Sequence, residues 1–262
     1  MGTYDDLQFL PLGIGDFFSR YYYSTSFVVL AGDTPILVDS PSPLRKMLHE
    51  ATTRAGIDLP IEAINHFVLT HLHGDHANGL EEVAFYKRFL QGRKPALYTI
   101  PEVTRDLWEH RLQASLGILT DSDLTNGTPQ ALSDYFEVRE CEEARLNACG
   151  DASLFIRRTR HFLPCFGLRV SFGGLTLGYS SDTVFDPDHI EFLSGSDLIV
   201  HEISPGGGHT PLEKLAALPE SLRRKMFLAH IPDTFDVARS PIPVLQEGHL
   251  YSVRDLVRDR RG

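Results

Sequence analysis

The sequence predicts a single domain of mixed α and β structure over residues 1–262. Its length of 262 residues and its 42% hydrophobic content suffice for one sizeable core, and a two-layer α/β unit accommodates both. Short apolar runs typical of strands are interspersed with segments of helical periodicity. The chain has no internal repeats or low-complexity tracts. By themselves these observations indicate only mixed strands and helices, which the predicted α+β class accommodates.

The first half of the chain combines strands with two helices. Strands are predicted at Leu7–Leu12, Ser26–Ala31, Pro35–Val38 and Phe67–Leu69. Gly32-Asp33 separates the second strand from the third and is typical of a hairpin turn. Residues 43–55 have a helical pattern that Ser42 is expected to cap, and residues 80–90 have another that ends near Gly92.

The segment 101–146 is predicted to be an insertion that either covers the functional site or forms a subunit contact. Residues 102–119 have a helical pattern, whereas the Asp, Asn, Gly and Pro residues of 120–130 are typical of a loop. Further strands are predicted at Ser153–Arg160, Gly167–Ser171, Leu175–Tyr179, Asp197–Val200 and Lys225–Ala229. The charged tail 254–262 is expected to be frayed.

The most informative motif is Thr-His-Leu-His-Gly-Asp-His at residues 70–76, directly after an apolar strand. Histidine and aspartate are the nitrogen and oxygen ligands that zinc and similar divalent ions prefer. Alternate residues of an extended stretch share a face, so His71 and His73 are able to reach one ion. Asp75 and His76 follow a glycine and are expected to turn toward a second ion. A solvated histidine-rich loop is the alternative, and four such residues at this spacing count against it.

The H-x-H-x-D-H pattern of this motif resembles the signature of the metallo-β-lactamase superfamily. The resemblance implies three more ligands in order, and His161, Asp182 and His230 each follow a predicted strand. It extends over residues 8–248 and implies an αββα sandwich of two mixed β-sheets flanked by helices.

The resemblance implies a binuclear metal centre, with zinc as the expected ion and manganese as the alternative. The implied ligands are His71, His73 and His161 for one ion, Asp75, His76 and His230 for the other, and Asp182 as the bridge. Asp39, which closes the strand 35–38, matches a position that supports the metal loop, although a turn-forming aspartate would give the same pattern. Cys165 lies four residues beyond a ligand, and a buried free thiol is expected there rather than a metal ligand.

Such a centre is suited to hydrolysis. Two divalent ions about 3.5–4 Å apart share a bridging hydroxide that a lowered water pKa makes available near neutral pH. After two aspartates and the hydroxide are counted, the centre keeps a positive charge, which suits an anionic phosphate. The resemblance therefore implies a metal-dependent hydrolase without naming its substrate.

A second motif narrows the chemistry. The segment Leu-Ile-Val-His-Glu-Ile-Ser at 198–204 is followed by Gly-Gly-Gly-His-Thr at 206–210. This arrangement is similar to the ribonuclease Z branch of the superfamily, in which the second histidine faces the reacting phosphate and the glutamate orients it. The resemblance implies catalytic roles for Asp75, His209 and Glu202, with His209 protonating or stabilising the leaving oxygen. Alternatively, residues 206–210 only cap the next helix, since their threonine precedes a proline and a glutamate lies three residues on.

The substrate is expected to be a small anionic phosphodiester. Ribonuclease Z proteins generally carry a long Gly- and basic-rich arm, which grips transfer RNA, between the ligands that match His161 and Asp182. Only residues 162–181 lie there, and two short predicted strands use most of them. The missing arm favours a compact substrate such as a cyclic nucleotide, as in small phosphodiesterases of the superfamily. The aromatic residues of 17–23, with Arg20, are expected either to stack on a base or to pack in the core or a dimer.

Charge and composition limit the partners. A formal net charge of −10 counts against a protein that grips long nucleic acid electrostatically. Without a signal-peptide pattern or an apolar run of about 18 residues, no membrane association is expected. Three cysteines without a CxxC motif fit a reducing cytoplasm, and a homodimer is compatible with the sequence. The alternative functions are a lactone or thioester hydrolase, an RNA nuclease lacking the arm, and a non-catalytic binding protein.

Overall fold

Two mixed β-sheets carry the architecture, which a computed structural model describes for residues 4–260. The strands of this part of the chain are β1 (Tyr4–Gly13), β2 (Ser26–Gly32), β3 (Thr34–Val38), β4 (His66–Val68), β5 (Ala96–Thr99), β6 (Ile118–Thr120), β7 (Gly127–Pro129), β8 (Glu137–Glu140), β9 (Asn147–Cys149), β10 (Ala152–Arg158), β11 (Phe166–Phe172), β12 (Leu175–Tyr179), β13 (Leu198–Glu202), β14 (Met226–Ala229) and β15 (Tyr251–Ser252). One sheet has the order β15-β1-β2-β3-β4-β5-β8 and the other β14-β13-β12-β11-β10-β9, while β6 and β7 form a separate hairpin. All the strands predicted from the sequence are present within a few residues of their expected bounds.

Helices of the same residues are α1 (Leu44–Ala55), α2 (Gly74–Ala77), α3 (Leu80–Phe85), α4 (Pro101–Leu107), α5 (Gln113–Leu116), α6 (Pro187–Ser194), α7 (Leu212–Ala216), α8 (Glu220–Arg223) and α9 (Val253–Asp259). A π-helical turn extends α3 over Tyr86–Leu90, and another over Trp108–Leu112 joins α4 to α5. Between residues 4 and 260, none of the helices combines the length and the apolar character needed to cross a membrane.

The helix α1 shows how the sequence places helices on the sheets. It buries Leu44, Met47, Leu48 and Ala51, the spacing of one apolar helical face. The helix ends at Gly56, whose φ of 68° suits a residue without a side chain. The prediction that Ser42 caps this helix is wrong, because Pro43 occupies the cap position and makes no side-chain cap hydrogen bond.

The core lies between the two sheets. Every residue of β2 and β3 is buried, which is typical of central strands covered on both faces. Across the core, the ring of Phe27 from β2 packs edge-on against Tyr179 from β12, with ring centroids 4.9 Å apart. The two sheets therefore face each other across the core, and α1 and α9 pack against their strands, as expected for the predicted αββα sandwich.

The insertion 101–146 differs from its sequence prediction. The helical part ends at Leu116, three residues earlier than expected, and the region predicted as loop contains the hairpin β6–β7. Ile118 and Leu124 of this hairpin region are exposed. The sequence pattern failed here because a short exposed hairpin carries no alternation of buried and exposed residues.

The charged tail also differs from its prediction. Residues 253–259 form α9 rather than a frayed end, and the hydroxyl of Ser252 caps the helix by accepting the N–H of Asp255. Val253 is buried and Leu256 packs against the core, so a few apolar residues suffice to hold a charged helix in place. Residues 261–262 of the predicted tail lie outside the described residues.

Candidate active site

The candidate site lies at one end of the sandwich, where several parallel strands finish. β3 and β4 run parallel in one sheet, and β12, β13 and β14 run parallel in the other. The loops that follow such strands meet at one edge of the fold and carry polar residues there. These residues are Asp39 after β3, His71, His73, Asp75 and His76 after β4, Asp182 after β12, Glu202 at the end of β13, and His230 after β14.

Four of the predicted ligands form a first group. His71, His73, His161 and Asp182 offer ligand atoms that all lie within 4.8 Å of one another. His73 Nδ1 lies 3.2 Å from His71 Nε2 and 3.0 Å from His161 Nε2. Asp182 Oδ2 lies 3.6 Å from His71 Nε2 and 3.7 Å from His161 Nε2. Tetrahedral ligands at about 2.0–2.2 Å from zinc lie roughly 3.4 Å from each other, so this spacing fits a zinc-sized ion.

Asp75, His76 and His230 form a second, fully buried group. Asp75 Oδ2 lies 3.3 Å from His76 Nε2 and 3.1 Å from His230 Nε2. Asp182 also reaches this group, since its Oδ1 lies 3.4 Å from His76 Nε2 and its Oδ2 lies 3.6 Å from His230 Nε2. Asp182 therefore stands between the two groups, the position expected of a bridging ligand.

Unpaired buried atoms indicate that this cluster suits a divalent metal. Asp75 Oδ1, Asp182 Oδ1 and His76 Nε2 are buried and have no hydrogen-bond partner among residues 4–260. A buried polar group without a partner costs about 1–3 kcal/mol, and coordination of an ion removes that cost. Burial lowers the pKa of His71 well below its usual value, so its imidazole is neutral, which is the form that ligates metals.

The charges around the carboxylates lead to the same conclusion. Burial alone would raise the pKa of Asp182, but the neighbouring His230 and His76 outweigh it and hold the pKa well below its usual range. Burial lowers the pKa of His230, but Asp182 and Asp75 outweigh that effect and raise it to about 9. The buried carboxylates therefore attract positive charge, which bound cations would supply. A divalent-metal site is the arrangement that these residues fit.

Asp39 positions the ligand loop. Its buried carboxylate accepts the N–H and the hydroxyl of Thr70, both at 2.9 Å, and the Nδ1–H of His76 at 2.8 Å. This contact fixes the ring of His76 so that Nε2 faces the second group. Asp39, Ser181 and His230 have φ angles of 59°, 51° and 56°, a left-handed conformation that costs energy in residues other than glycine. Backbone strain thus concentrates around the site.

Glu202 and His209 lie beside the second group. Glu202 is buried, and its Oε1 accepts the N–H of Thr210 at 3.1 Å and lies 3.3 Å from His209 Nδ1. His209 Nδ1 is 3.9 Å from Asp182 Oδ2, and its ring stacks on His230 with centroids 5.2 Å apart. Burial lowers the pKa of His209, but the hydrogen bond to Glu202 and the charges of Glu202 and Asp182 raise it above its usual value. The protonated imidazole is therefore favoured.

The loop before α7 does not act as a helix cap. The helix starts after Pro211, and no side chain of the described chain caps it. Instead the hydroxyl of Thr210 donates to the carbonyl of Thr183 at 2.9 Å, and Glu202 accepts the N–H groups of both threonines. The cap interpretation of residues 206–210 is therefore wrong, and Glu202 anchors the loop that carries His209.

Sequence reasoning missed two contacts that position the ligands. His161 Nδ1 donates to the carbonyl of Gly208 at 3.0 Å, which holds its Nε2 toward the first group. Arg111, from the insertion, donates to the carbonyl of Leu72 within the ligand loop, residues 70–76, and to the side-chain oxygen of Asn78 just after it, and so braces the loop. No sequence pattern signals these contacts, since each joins residues far apart in the chain.

Cys165 is a buried free thiol, as predicted. Its Sγ lies 3.3 Å from Ser181 Oγ, and burial raises its pKa to about 12. It belongs to none of the three groups of potential metal ligands found among the described residues.

The fold is shared with solved structures that include a metallo-β-lactamase fold protein. The metallo-β-lactamase fold protein YhfI from Bacillus subtilis matches with a TM-score of 0.71 at 16% identity, covering 94% of this chain and 99% of that one. The short form of human tRNase Z and unliganded yeast PDE1 match with TM-scores of 0.65 and 0.68, at 16% and 13% identity. Each of these two matches covers 94% of this chain and 99% of the other. The predicted metallo-β-lactamase fold is confirmed.

The sequence itself matches one family over most of its length. The family model of the anti-Pycsar protein Apyc1 matches residues 7–249. Apyc1 of Paenibacillus sp. (strain J14) is 30% identical over 261 residues, covering 94% of this chain and 99% of the relative. Apyc1 of Bacillus phage BSP38 is 32% identical over 243 residues, covering 87% and 90%. The chain belongs to the Apyc1 family of anti-Pycsar proteins.

Proposed function

We propose that the protein is a two-metal phosphodiesterase that hydrolyses cyclic nucleotides. The observation that carries the proposal is the placement of the Glu202–His209 pair directly beside the two groups of ligand atoms. A proton donor at that position serves a reaction with a poor leaving group at an anionic centre. The family assignment and the metallo-β-lactamase fold support a metal-dependent hydrolase of this class.

Seven residues would hold two divalent ions, with zinc as the proposed native metal. They are His71, His73 and His161 on one side, Asp75, His76 and His230 on the other, and Asp182 between them. When bound, the ions would polarise the phosphoryl oxygens and lower the pKa of the attacking water. Asp75 Oδ1, which has no hydrogen-bond partner within residues 4–260, is available to orient that water.

His209 would act as the general acid. Water adds to phosphorus and releases one proton to solvent, the bond from phosphorus to the sugar oxygen breaks, and the proton on His209 Nε2 passes to that oxygen. His209 then regains a proton from solvent, so the protons balance. The product is a nucleoside monophosphate. Glu202 engages Nδ1 of the same ring, which leaves Nε2 for the substrate. Proton transfer of this kind contributes on the order of 10²–10⁴-fold to the rate.

The short interval between His161 and Asp182 supports a small substrate. The strands β11 and β12 pair as a hairpin between His161 and Asp182, with a tight turn at Gly173 and Gly174. No room remains in that interval for an RNA-gripping arm. The formal net charge of −10 also disfavours tight binding of a polyanion. A cyclic nucleotide meets both conditions, whereas precursor transfer RNA does not.

A cytoplasmic location and a homodimer are also proposed. Three unpaired cysteines support a reducing cytoplasm, and the exposed apolar residues of the insertion 101–146 support a homodimer contact there.

A substrate panel tests the proposal. Purified protein loaded with Zn²⁺ or Mn²⁺ would be offered cyclic AMP, cyclic UMP, a homoserine lactone, a thioester and precursor transfer RNA, with a chelator-stripped sample as the control. We expect metal-dependent turnover of the cyclic nucleotides well above that of the other compounds. Faster hydrolysis of the lactone or thioester would support the competing hydrolase classes, and site-specific processing of transfer RNA would overturn the argument from the missing arm.

A further inference from the structure

Two exposed phenylalanine rings lie against the segments that carry the catalytic residues. Phe17 is 52% exposed and Phe162 is 70% exposed. The ring edge of Phe17 lies over Gly74, where an added Cβ would be 3.3 Å from its Cε2. Gly74 stands between His73 and Asp75, one ligand from each group. Phe17 therefore borders the centre where the two groups meet.

Phe162 borders the centre from another segment. It directly follows the ligand His161, and the two ring centroids are 5.3 Å apart. A Cβ at Gly208 would lie 2.2 Å from Cε2 of Phe162, so only glycine allows the ring to approach this closely. Gly208 precedes His209, the proposed acid, so this ring flanks the leaving-group side of the site.

The loop that carries Phe17 is held in place by hydrogen bonds. Asp233 accepts the hydroxyl of Ser19 at 2.7 Å and the N–H of Arg20 at 3.1 Å. Asp16 accepts the N–H of Phe18 at 3.0 Å, and Phe18 packs edge-on against Phe17 with centroids 5.0 Å apart. The hydrogen bonds thus fix the path of the loop, yet its large apolar rings stay exposed to solvent. Exposed rings do not contribute the free energy that their burial would give. Rings held this way are prearranged for a ligand.

The structure excludes core packing, one of the roles predicted for this loop, for part of it. Tyr22 and Tyr23 pack against the core, as the packing interpretation expects. Phe17, Phe18 and Tyr21 are exposed, so core packing does not explain them. Arg20 pairs with Asp233 through Nε at 3.1 Å, and the three rings are the exposed apolar groups of the loop.

We propose that Phe17 and Phe162 bind the nucleobase of the cyclic nucleotide by stacking, an inference that rests on the proposed function. A nucleotide holds its base one sugar away from its phosphate. When the phosphate binds at the ligand cluster, the base therefore lies at the edge of the site, which the rings of Phe17 and Phe162 border. Stacking on aromatic side chains is the usual way in which proteins hold an unpaired base.

Single-ring variants test the proposal. Phe17→Ala and Phe162→Ala would be compared with Phe89→Ala, which removes a ring of similar exposure, 54%, outside the site. Steady-state kcat and KM would be measured for cyclic AMP and for a base-free 1-deoxyribose 3,5-cyclic phosphate. We expect each site variant to raise KM for cyclic AMP on the order of 5–150-fold, the range for one lost stacking contact, with little change in kcat. The base-free substrate and the Phe89 variant should show no such rise, and Phe17→Trp should restore the wild-type KM.

Equal effects on the two substrates would overturn base stacking, because a merely structural role does not distinguish them. A loss of activity accompanied by a change from dimer to monomer in light scattering would assign the rings to a subunit contact instead and would also overturn the proposal. Wild-type protein that turns over no cyclic nucleotide would remove the proposed function and this inference with it. Normal turnover with unaltered KM in both ring variants would remove this inference alone.

Discussion

Replacing His209 tests the general-acid role through the leaving group. His209→Ala leaves all seven proposed metal ligands in place, so we expect the fold and the bound metal to survive. A cyclic nucleotide expels a sugar alkoxide, which needs a proton, so its kcat should fall about 10²–10⁴-fold. Bis-p-nitrophenyl phosphate expels p-nitrophenolate, which needs little protonation, and should lose much less.

The structure also gives the size of the effect for Glu202→Gln. Glu202 Oε1 accepts the N–H groups of Thr183 and Thr210 and the Nδ1–H of His209. Glutamine retains one carbonyl oxygen at that position, so the loop should stay anchored. The imidazolium of His209 then donates to an uncharged oxygen instead of a carboxylate, which removes an ion-pair contribution of about 1 kcal/mol. The difference of about 1 kcal/mol corresponds to a loss of about 5-fold, again larger for the poor leaving group.

The assay compares kcat for the two diesters, with metal content measured on the same samples. His249→Ala is the control, because His249 is an exposed histidine that packs on Tyr251 outside the site. Equal losses on both diesters, or no loss, would refute the acid role of His209 and revive the lactonase interpretation. Loss of metal from the His209 variant would likewise contradict the account, since this residue is proposed to contact substrate and not metal.

Three further predictions concern the surroundings of the centre. Asp39→Asn should weaken metal affinity about 10–100-fold, because the carboxylate that orients His76 is lost. A competition titration with a chelator measures this affinity, and an unchanged value would show that Asp39 only forms a turn. Arg111→Ala should weaken metal affinity on the order of 10-fold by freeing the ligand loop, whereas Arg105→Ala, an exposed arginine of α4, should not; equal effects would remove the brace. The three buried cysteines should not react with a thiol reagent at pH 8 until the protein is unfolded, and rapid labelling of the native protein would contradict their burial.

The proposed ligands could be picked out from the sequence because their signals are local. Residues 70–76 combine ligating side chains with a spacing that a loop after a strand brings together, and this needs no knowledge of the rest of the fold. His161, Asp182 and His230 each follow an apolar run, so the same rule places them at strand ends. The αββα fold followed from the resemblance, whereas periodicity alone gave only the strands and helices.

The features that the sequence analysis predicted wrongly or missed depend on tertiary contacts. The charged composition of residues 254–262 predicted a frayed tail. The helix after Ser252 is stable because Val253 is buried, and composition does not reveal that burial. The brace from Arg111 and the carbonyl of Gly208 that orients His161 join segments distant in sequence, so no local pattern predicts them. The glycines of 206–208 indicated a turn. They did not indicate that the ring of Phe162 approaches Gly208 so closely that a side chain there would clash.

A metal titration of the stripped protein tests the central claim most directly. Zn²⁺ would be added stepwise while bound metal per chain and turnover of cyclic AMP are measured on each sample. The two-metal account predicts binding that saturates near two ions per chain, with turnover that rises only as the second ion binds. In Asp75→Ala, which removes a ligand of the second group, binding should stop near one ion and turnover should be lost. Saturation at one ion per chain with full turnover would contradict the two-metal mechanism.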